Sequence, residues 1–311
     1  MTAQAYGAAV TSWLERRSFH SHDFPLERLL QVKSTTITAV VPARDVAPTV
    51  GPIVDVLVQL REAGLLDEAI VVDADSSDGT GKLAAEHGAI VYQESEILPE
   101  HGPALGKGDA MWRGTFVSTG EIVVFVDGDT ENFSDRFIRG LVGPLLIDDS
   151  IHLVKGAFRR PLRVGREVLV DGGGRVTELV ARPLVNLFLP ELAGFVQPLA
   201  GEIAVRRQLL EQLNFPVGYG VEIAMLIDAY RSVGLDGLAQ VDVGERRDPH
   251  QHLHSLTSMA YGVMFATMSR VTGGLETDVP GLIARPSGAG IDLTRVPIQE
   301  RPALRVLGSP R

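Results

Sequence analysis

Glu121-Ile122-Val123-Val124-Phe125-Val126-Asp127-Gly128-Asp129 is the stretch that decides the fold. Its apolar run, Ile122 to Val126, is rich in β-branched residues and lacks the polar alternation of a strand that is wet on one side. Such a run marks a strand covered on both faces, which is the situation inside a parallel sheet flanked by helices. The strand then stops at an acidic pair separated by one glycine.

Working upstream, short β-branched runs alternate with helix-like segments. Strands are expected at Ile37 to Val41, Ala69 to Val72 and Ile90 to Tyr92, and helices through Val54 to Ala63, Gly81 to His87 and Lys107 to Phe116. This βαβα order predicts an α/β fold with a mostly parallel central sheet. Downstream the pattern loosens into a helix through Phe137 to Leu146, a strand at His152 to Lys155 and a Gly172-Gly173-Gly174 loop. Helices follow at Val176 to Phe188, Arg206 to Leu213 and Val221 to Val233. The expected division is an N-terminal extension over 1–34, a Rossmann-like nucleotide-binding half over 35–150, a smaller acceptor-binding half over 151–270 and a tail over 271–311. The tail is rich in Gly and Pro, so a packed helix or strand is not expected there; it should wrap the body or move.

Composition narrows the function classes. The chain has 311 residues and a net charge of −10, which argues against coating a nucleic-acid backbone. With 45% hydrophobic and 22% charged residues it is an ordinary globular sequence. Cysteine is absent, so disulfides, thiolate nucleophiles and Cys-ligated metals are excluded, and a reducing cytoplasm is the expected location. No signal peptide is expected, and the lipophilic stretch Leu184 to Ala200 is broken by Asn186, Pro190, Glu191, Gln197 and Pro198, so no membrane insertion is expected either.

The chemistry-bearing motifs sit where strands end. In Asp127-Gly128-Asp129 the carboxylates at i and i+2 share a face, and the glycine between them admits a bulky anion. Such a pair can hold Mg²⁺ or Mn²⁺ while diphosphate oxygens complete the coordination. Asp73, after the strand Ala69 to Val72, and Pro42-Ala43-Arg44, after Ile37 to Val41, occupy equivalent strand ends, so the three define one crevice at the carboxyl edge of the sheet. Gly106-Lys107-Gly108 places an ammonium at a helix start, suited to phosphate oxygens, without the spacing of a Walker A loop. Gly174, Arg175 and Thr177 offer freed amides, a guanidinium fork and a hydroxyl for a second anion. Glu222 opens an apolar helix, and Arg246 to His254 holds three of the eight histidines.

In this order the pieces resemble GT-A glycosyltransferases, and more narrowly the retaining glucosyl-3-phosphoglycerate and mannosyl-3-phosphoglycerate synthases of bacteria. The resemblance runs from about Ile37 to Ser269. Its most specific part is Gly172-Gly173-Gly174-Arg175-Val176-Thr177-Glu178-Leu179-Val180-Ala181-Arg182-Pro183-Leu184, flanked by Phe158-Arg159-Arg160-Pro161-Leu162, Gln197-Pro198-Leu199 and Gly218-Tyr219-Gly220-Val221-Glu222. It implies a GT-A type fold with nucleotide-sugar contacts from Pro42, Ala43, Arg44, Asp73, Lys107, Asp127 and Gly128. It further implies phosphoglycerate contacts from Gly174, Arg175 and Thr177, metal ligation by Asp129, and catalytic-site roles for Asp129, Glu222 and the backbone carbonyl of Leu199.

Three positions depart from the family pattern. Asp45, Val46 and Ala47 stand where Asn-Glu-Glu is usual, and Ala74 replaces a usual serine. The family's metal-binding histidine falls in ungapped register on Asp248, while His250 lies two residues on, so both are candidate metal ligands.

The resemblance therefore implies transfer of glucose from UDP-glucose or GDP-glucose to the 2-hydroxyl of D-3-phosphoglycerate, with Mg²⁺ or Mn²⁺ as cofactor. Mannosyl transfer from GDP-mannose is the alternative. A sugar-phosphate nucleotidyltransferase is a second one, although Pro42 to Val46 lacks the Gly-rich, Arg-Lys loop it would want. The expected partners are the nucleoside diphosphate sugar and 3-phosphoglycerate, and the expected assembly is a homodimer.

Overall fold

The computed structural model describes residues 3–164, 167–169, 173–248, 253–275, 281–288 and 290–307. Eight strands form the central sheet: β1 (Ser18–His20), β2 (Ile37–Ala43), β3 (Glu68–Asp73), β4 (Ile90–Gln93), β5 (Ile122–Phe125), β6 (Leu153–Arg159), β7 (Ile203–Arg206) and β8 (Leu238–Glu245). Their spatial order is β1-β8-β6-β7-β5-β2-β3-β4. All neighbours pair in parallel except β7, which runs antiparallel to both β5 and β6. The sheet is therefore mostly parallel, as the sequence predicts, with one reversed strand joining its two halves.

The uninterrupted apolar runs have the expected cause. Val123 and Phe125 enter one core with Val40, Ile70 and Val72, while Ile122, Val124 and Val126 enter the other with Ala39, Val41 and Val71. Successive side chains point to opposite faces, so a strand buried on both faces has no position left for a polar residue. Helices α2 (Leu26–Val32), α3 (Ala47–Glu62), α4 (Thr80–Glu86) and α6 (Asp135–Ile147) cover the second core, and α5 (Lys107–Val117) and α8 (Val221–Val233) cover the first. The ends of α3, α5, α6 and α8 lie within about two turns of the expected bounds. Between α6 and α8 lies α7 (Arg182–Phe188), entered through a π-helical turn at Thr177–Ala181.

Three segments show packing that the sequence reading left open or missed. The N-terminal segment is docked: α1 (Ala3–Arg17) buries Trp13, whose indole N–H donates to the Leu235 carbonyl at 3.1 Å, and β1 pairs beside β8. The histidine-rich stretch leads into a long helix, α9 (Leu253–Thr272), which packs on α8. The tail is not free of strands. Leu282–Ser287 and Gly290–Arg295 form a hairpin, and Glu300–Arg301 pairs with Phe215–Pro216. What fixes the tail is charge: Arg301 donates to Asp109, which is fully buried in α5, at 2.7 Å. Proline-rich composition disfavours regular structure locally, but a buried ion pair 192 residues away in the chain overrides it.

Candidate active site

A pocket of about 450 Å³ opens along the carboxyl ends of β5 and β2. Pro42, Ala43, Arg44, Lys107, Asp127, Gly128, Asp129, Leu199 and Glu222 all line it, so nine of the residues singled out in the sequence meet in one place. A topological edge where several parallel strands end is where open α/β sheets bind ligands.

Lys107 is the charged hub. It begins α5, and its Nζ pairs with Asp127 at very short range and with Glu222 Oε1 at 2.7 Å. Burial works against the ammonium, but the Asp127 and Glu222 carboxylates outweigh it and hold Lys107 above the usual lysine range. Burial likewise opposes charge on Asp127, and Lys107 and Arg246 overcome it, holding that carboxyl below its ordinary range. Two glycines make the geometry possible. A Cβ at Gly108 would lie 1.8 Å from the Pro216 carbonyl oxygen, so α5 can approach that strand only without a side chain. A Cβ at Gly201 would strike both Lys107 Nζ and Asp127 Oδ1, so the turn after Leu199 presses its backbone against the ion pair.

Arg246, from the segment after β8, is almost fully buried beside the acidic pair. It reaches Asp127 Oδ2 at 2.9 Å, Asp129 Oδ1 at 3.0 Å and Glu202 Oε1 at 3.2 Å, and lies over the Phe158 ring at 5.5 Å. Asp129 keeps 39% of its side chain exposed. Its carboxylate oxygens match the hard-oxygen preference of Mg²⁺ or Mn²⁺, and a diphosphate and water would supply the remaining ligands. Among the described residues no group of three His, Asp or Glu forms a complete metal cage. Asp248 is held by Arg160 at very short range and lies 3.7 Å from Arg246. His250 lies outside the described residues.

Leu199 sits in a pinned turn. Lys155 Nζ donates to the Ala200 carbonyl at 2.9 Å, Ala200 N–H to the Gln197 carbonyl at 3.0 Å, and Gln197 Nε2 to the Phe158 carbonyl at 3.1 Å. Burial, helped by the Lys107 charge and opposed by Glu222, pushes the Lys155 ammonium down to about 7.

Asp73 is not in the pocket wall. Its carboxylate accepts from the Ser76 N–H and from Gln93 Nε2, both at 3.2 Å, and its neighbour Ala74 provides the lining. Gly174, Arg175 and Thr177 stand at the start of the helical stretch leading to α7, where Val176 is the residue that lines the pocket. Sequence reading missed Glu94, Arg160 and Arg246, together with Ser258, Met259 and Val263 of α9 and Arg295 to Pro297 of the tail, all of which line it. Arg160 and Arg246 lay inside stretches noted for other reasons; a patterned signal for the α9 and tail residues does not exist in the sequence, because they reach the pocket through long-range packing.

A strand-end acidic pair, a lysine at a facing helix start and a mostly parallel sheet with one reversed strand define a nucleotide-sugar transferase of the GT-A type. Residues 38–163 match the model of the family described as "Glycosyl transferase family 2". Glucosyl-3-phosphoglycerate synthase of Mycolicibacterium smegmatis is 43% identical over 83% of this chain and 85% of its own length. The crystal structure of mannosyl-3-phosphoglycerate synthase from Rubrobacter xylanophilus superposes with a TM-score of 0.85 at 44% identity, covering 96% of this chain and 99% of that one. That of glucosyl-3-phosphoglycerate synthase from Mycobacterium tuberculosis, in complex with Mn²⁺, uridine diphosphate and phosphoglyceric acid, does so with a TM-score of 0.81 at 38% identity, covering 92% and 96%. The chain belongs to the glucosyl-3-phosphoglycerate synthase family and is a hexosyltransferase of a metal-dependent class. The nucleotidyltransferase alternative falls with that assignment. No described helix is long and apolar enough to cross a membrane.

Proposed function

We propose that the chain transfers glucose from UDP-glucose to the 2-hydroxyl of D-3-phosphoglycerate with retention at the anomeric carbon. The observation that carries this reading is the convergence of Lys107, Asp127, Asp129 and Glu222 on one pocket in a chain that shares most of its length with enzymes of that name.

Asp129, with Asp248 or His250, would hold Mg²⁺ or Mn²⁺, which when bound neutralises charge on the departing diphosphate. Lys107, kept charged by its two carboxylates, donates to the same phosphate oxygens and is already oriented before substrate arrives. Arg175 and Thr177 anchor the acceptor's phosphate or carboxylate. The pinned Pro198-Leu199 turn presents the Leu199 carbonyl to the acceptor hydroxyl, fixing its angle of approach. The acceptor oxygen bonds to the anomeric carbon as the bond to the diphosphate breaks on the same face, and the hydroxyl proton leaves on the departing phosphate. No side chain is needed as a covalent nucleophile.

A second reading, mannose from GDP-mannose, is favoured by the likeness to the Rubrobacter xylanophilus enzyme. Release of free nucleoside diphosphate, assayed with UDP- and GDP-linked glucose and mannose, separates the two. The proposal requires turnover with UDP-glucose that depends on 3-phosphoglycerate; fastest turnover with GDP-mannose would replace it with the second reading.

A further inference from the structure

Glu94 lies at the far end of the same pocket from Asp129, in the turn that follows β4. The wall of the pocket is built from successive strand ends: Asp127 to Asp129 after β5, Pro42 to Arg44 at β2, Ala74 after β3 and Glu94 after β4. Neighbouring strands lie about 4.8 Å apart, so three strand steps carry the wall about 14 Å from the diphosphate end, in the direction in which ribose and base must extend. Glu94 therefore stands where the nucleobase of an extended donor would rest.

Its side chain lacks the partners such burial demands. Glu94 is 1% exposed, and neither carboxyl oxygen has a hydrogen-bond partner among the described residues. Buried carboxyls are almost always hydrogen-bonded, so two empty acceptor positions on a pocket wall point to a ligand that fills them. The charged groups facing it are Asp109 and Arg113 of α5, Asp75 after β3 and Arg44 after β2. Burial and Asp109 prevail over Arg113 and push the Glu94 carboxyl up to about 7.

We propose that Glu94 is the base-reading residue of the donor site, meeting the ring N–H edge of guanine or uracil with its two oxygens. This rests on the nucleotide-sugar reading above. An ionised carboxylate offers two acceptors, which match guanine's adjacent N1–H and 2-amino donors. Uracil offers one ring N–H flanked by carbonyls, which suits a protonated carboxyl that accepts with one oxygen and donates with the other. Base preference then follows the proton on Glu94, and Glu94→Gln, with one donor and one acceptor, is locked in the uracil-reading form.

The test is calorimetric binding of UDP and of GDP to the full-length protein with Mn²⁺, at pH 6 and pH 8. The diphosphate and metal terms are common to both ligands and cancel in the ratio of their affinities. For the wild type the ratio should move toward GDP by about a hundredfold as pH rises, because the guanine-reading fraction rises about tenfold while the uracil-reading fraction falls by the same factor. Glu94→Gln should favour UDP at least about tenfold more than the wild type at pH 8, because the uracil-reading form rises from about a tenth to all of the protein, and should show no pH dependence in the ratio. A wild-type ratio that ignores pH and is unchanged in Glu94→Gln overturns the inference while leaving the donor site in place. Failure of the wild type to bind either nucleotide brings down the donor-site reading itself.

Discussion

Two buried acidic centres face each other across the pocket, and they solve the cost of burial in opposite ways. At the diphosphate end every carboxylate has a cation: Asp127 has Lys107 and Arg246, Glu222 has Lys107, and Asp129 has Arg246. At the other end the Glu94 carboxyl has no hydrogen-bonding partner among the described residues. The paired centre keeps its charges fixed and oriented, as electrostatic stabilisation of a leaving group requires. The unpaired centre titrates near neutrality and is free to adapt to what binds. Rigidity belongs where charge develops, and adaptability where a base is chosen.

The largest effect should come from breaking the paired centre at its most exposed member. Asp129→Ala is expected to lower turnover by about 10²–10³-fold or more while the thermal melting transition remains cooperative, since this side chain contributes little to the core. Steady-state release of nucleoside diphosphate with a parallel melting curve checks both halves of that statement. Arg246→Met should act on the fold instead. It takes from buried Glu202 its ion-pair partner and leaves Asp127 paired with Lys107 alone, and loss of one partner of a buried ion pair costs about 3–5 kcal/mol, read from chemical denaturation.

Acceptor binding should depend on neither centre. Arg175→Ala is expected to weaken 3-phosphoglycerate by one to two decades, about 1.5–3 kcal/mol, with the UDP affinity nearly unchanged. Equal losses for both ligands would merge the donor and acceptor subsites that the comparison keeps apart.

A smaller effect distinguishes Glu94 by its linkage to pH. Its folded-state pKa of about 7 lies above the unfolded value of 4.5, so the folded protein binds more protons between those two values. Its stabilising contribution is fully present below pH 4.5 and is lost as pH rises through 7. Glu94→Gln should therefore melt at a higher temperature than the wild type above pH 7, with the difference shrinking toward pH 4.5. The paired Asp127 titrates in the opposite sense, below its ordinary range. Smallest of all is the assignment of the remaining metal ligand. Because Asp248 is already held by Arg160, His250→Ala is expected to raise the half-saturating Mn²⁺ concentration and Asp248→Ala to change it less; the reverse order would assign Asp248.

Much of the paired centre could be read from the sequence, and the unpaired one could not. Asp127 and Asp129 follow an apolar run whose length and composition announce a doubly covered strand, and Lys107 opens a helix between glycines. Both signals are local. Glu94 lies in Gln93-Glu94-Ser95-Glu96, which reads as an ordinary solvated turn. Its burial appears only in the fold, where Asp109 and Arg113 of α5, Asp75 and Arg44 face it. Arg246 lies 117 residues from Asp129 in the chain and was overshadowed by the histidines beside it. The helix α9 was hidden in the same way, because its start reads as a row of possible ligands while its long apolar body packs on α8. What the sequence withheld was in each case a contact between distant segments, which no spacing rule encodes.

The proposed activity is front-face transfer of glucose onto the 2-oxygen of D-3-phosphoglycerate within one pocket. Its most direct test is the NMR spectrum of the product formed from UDP-α-glucose and D-3-phosphoglycerate with Mn²⁺ present. The expected product carries an α-linked glucosyl group on C2 of the glycerate, with the phosphate ester intact. A β-linked product, attachment at the phosphate or carboxylate, or hydrolysis of UDP-glucose without transfer would contradict it.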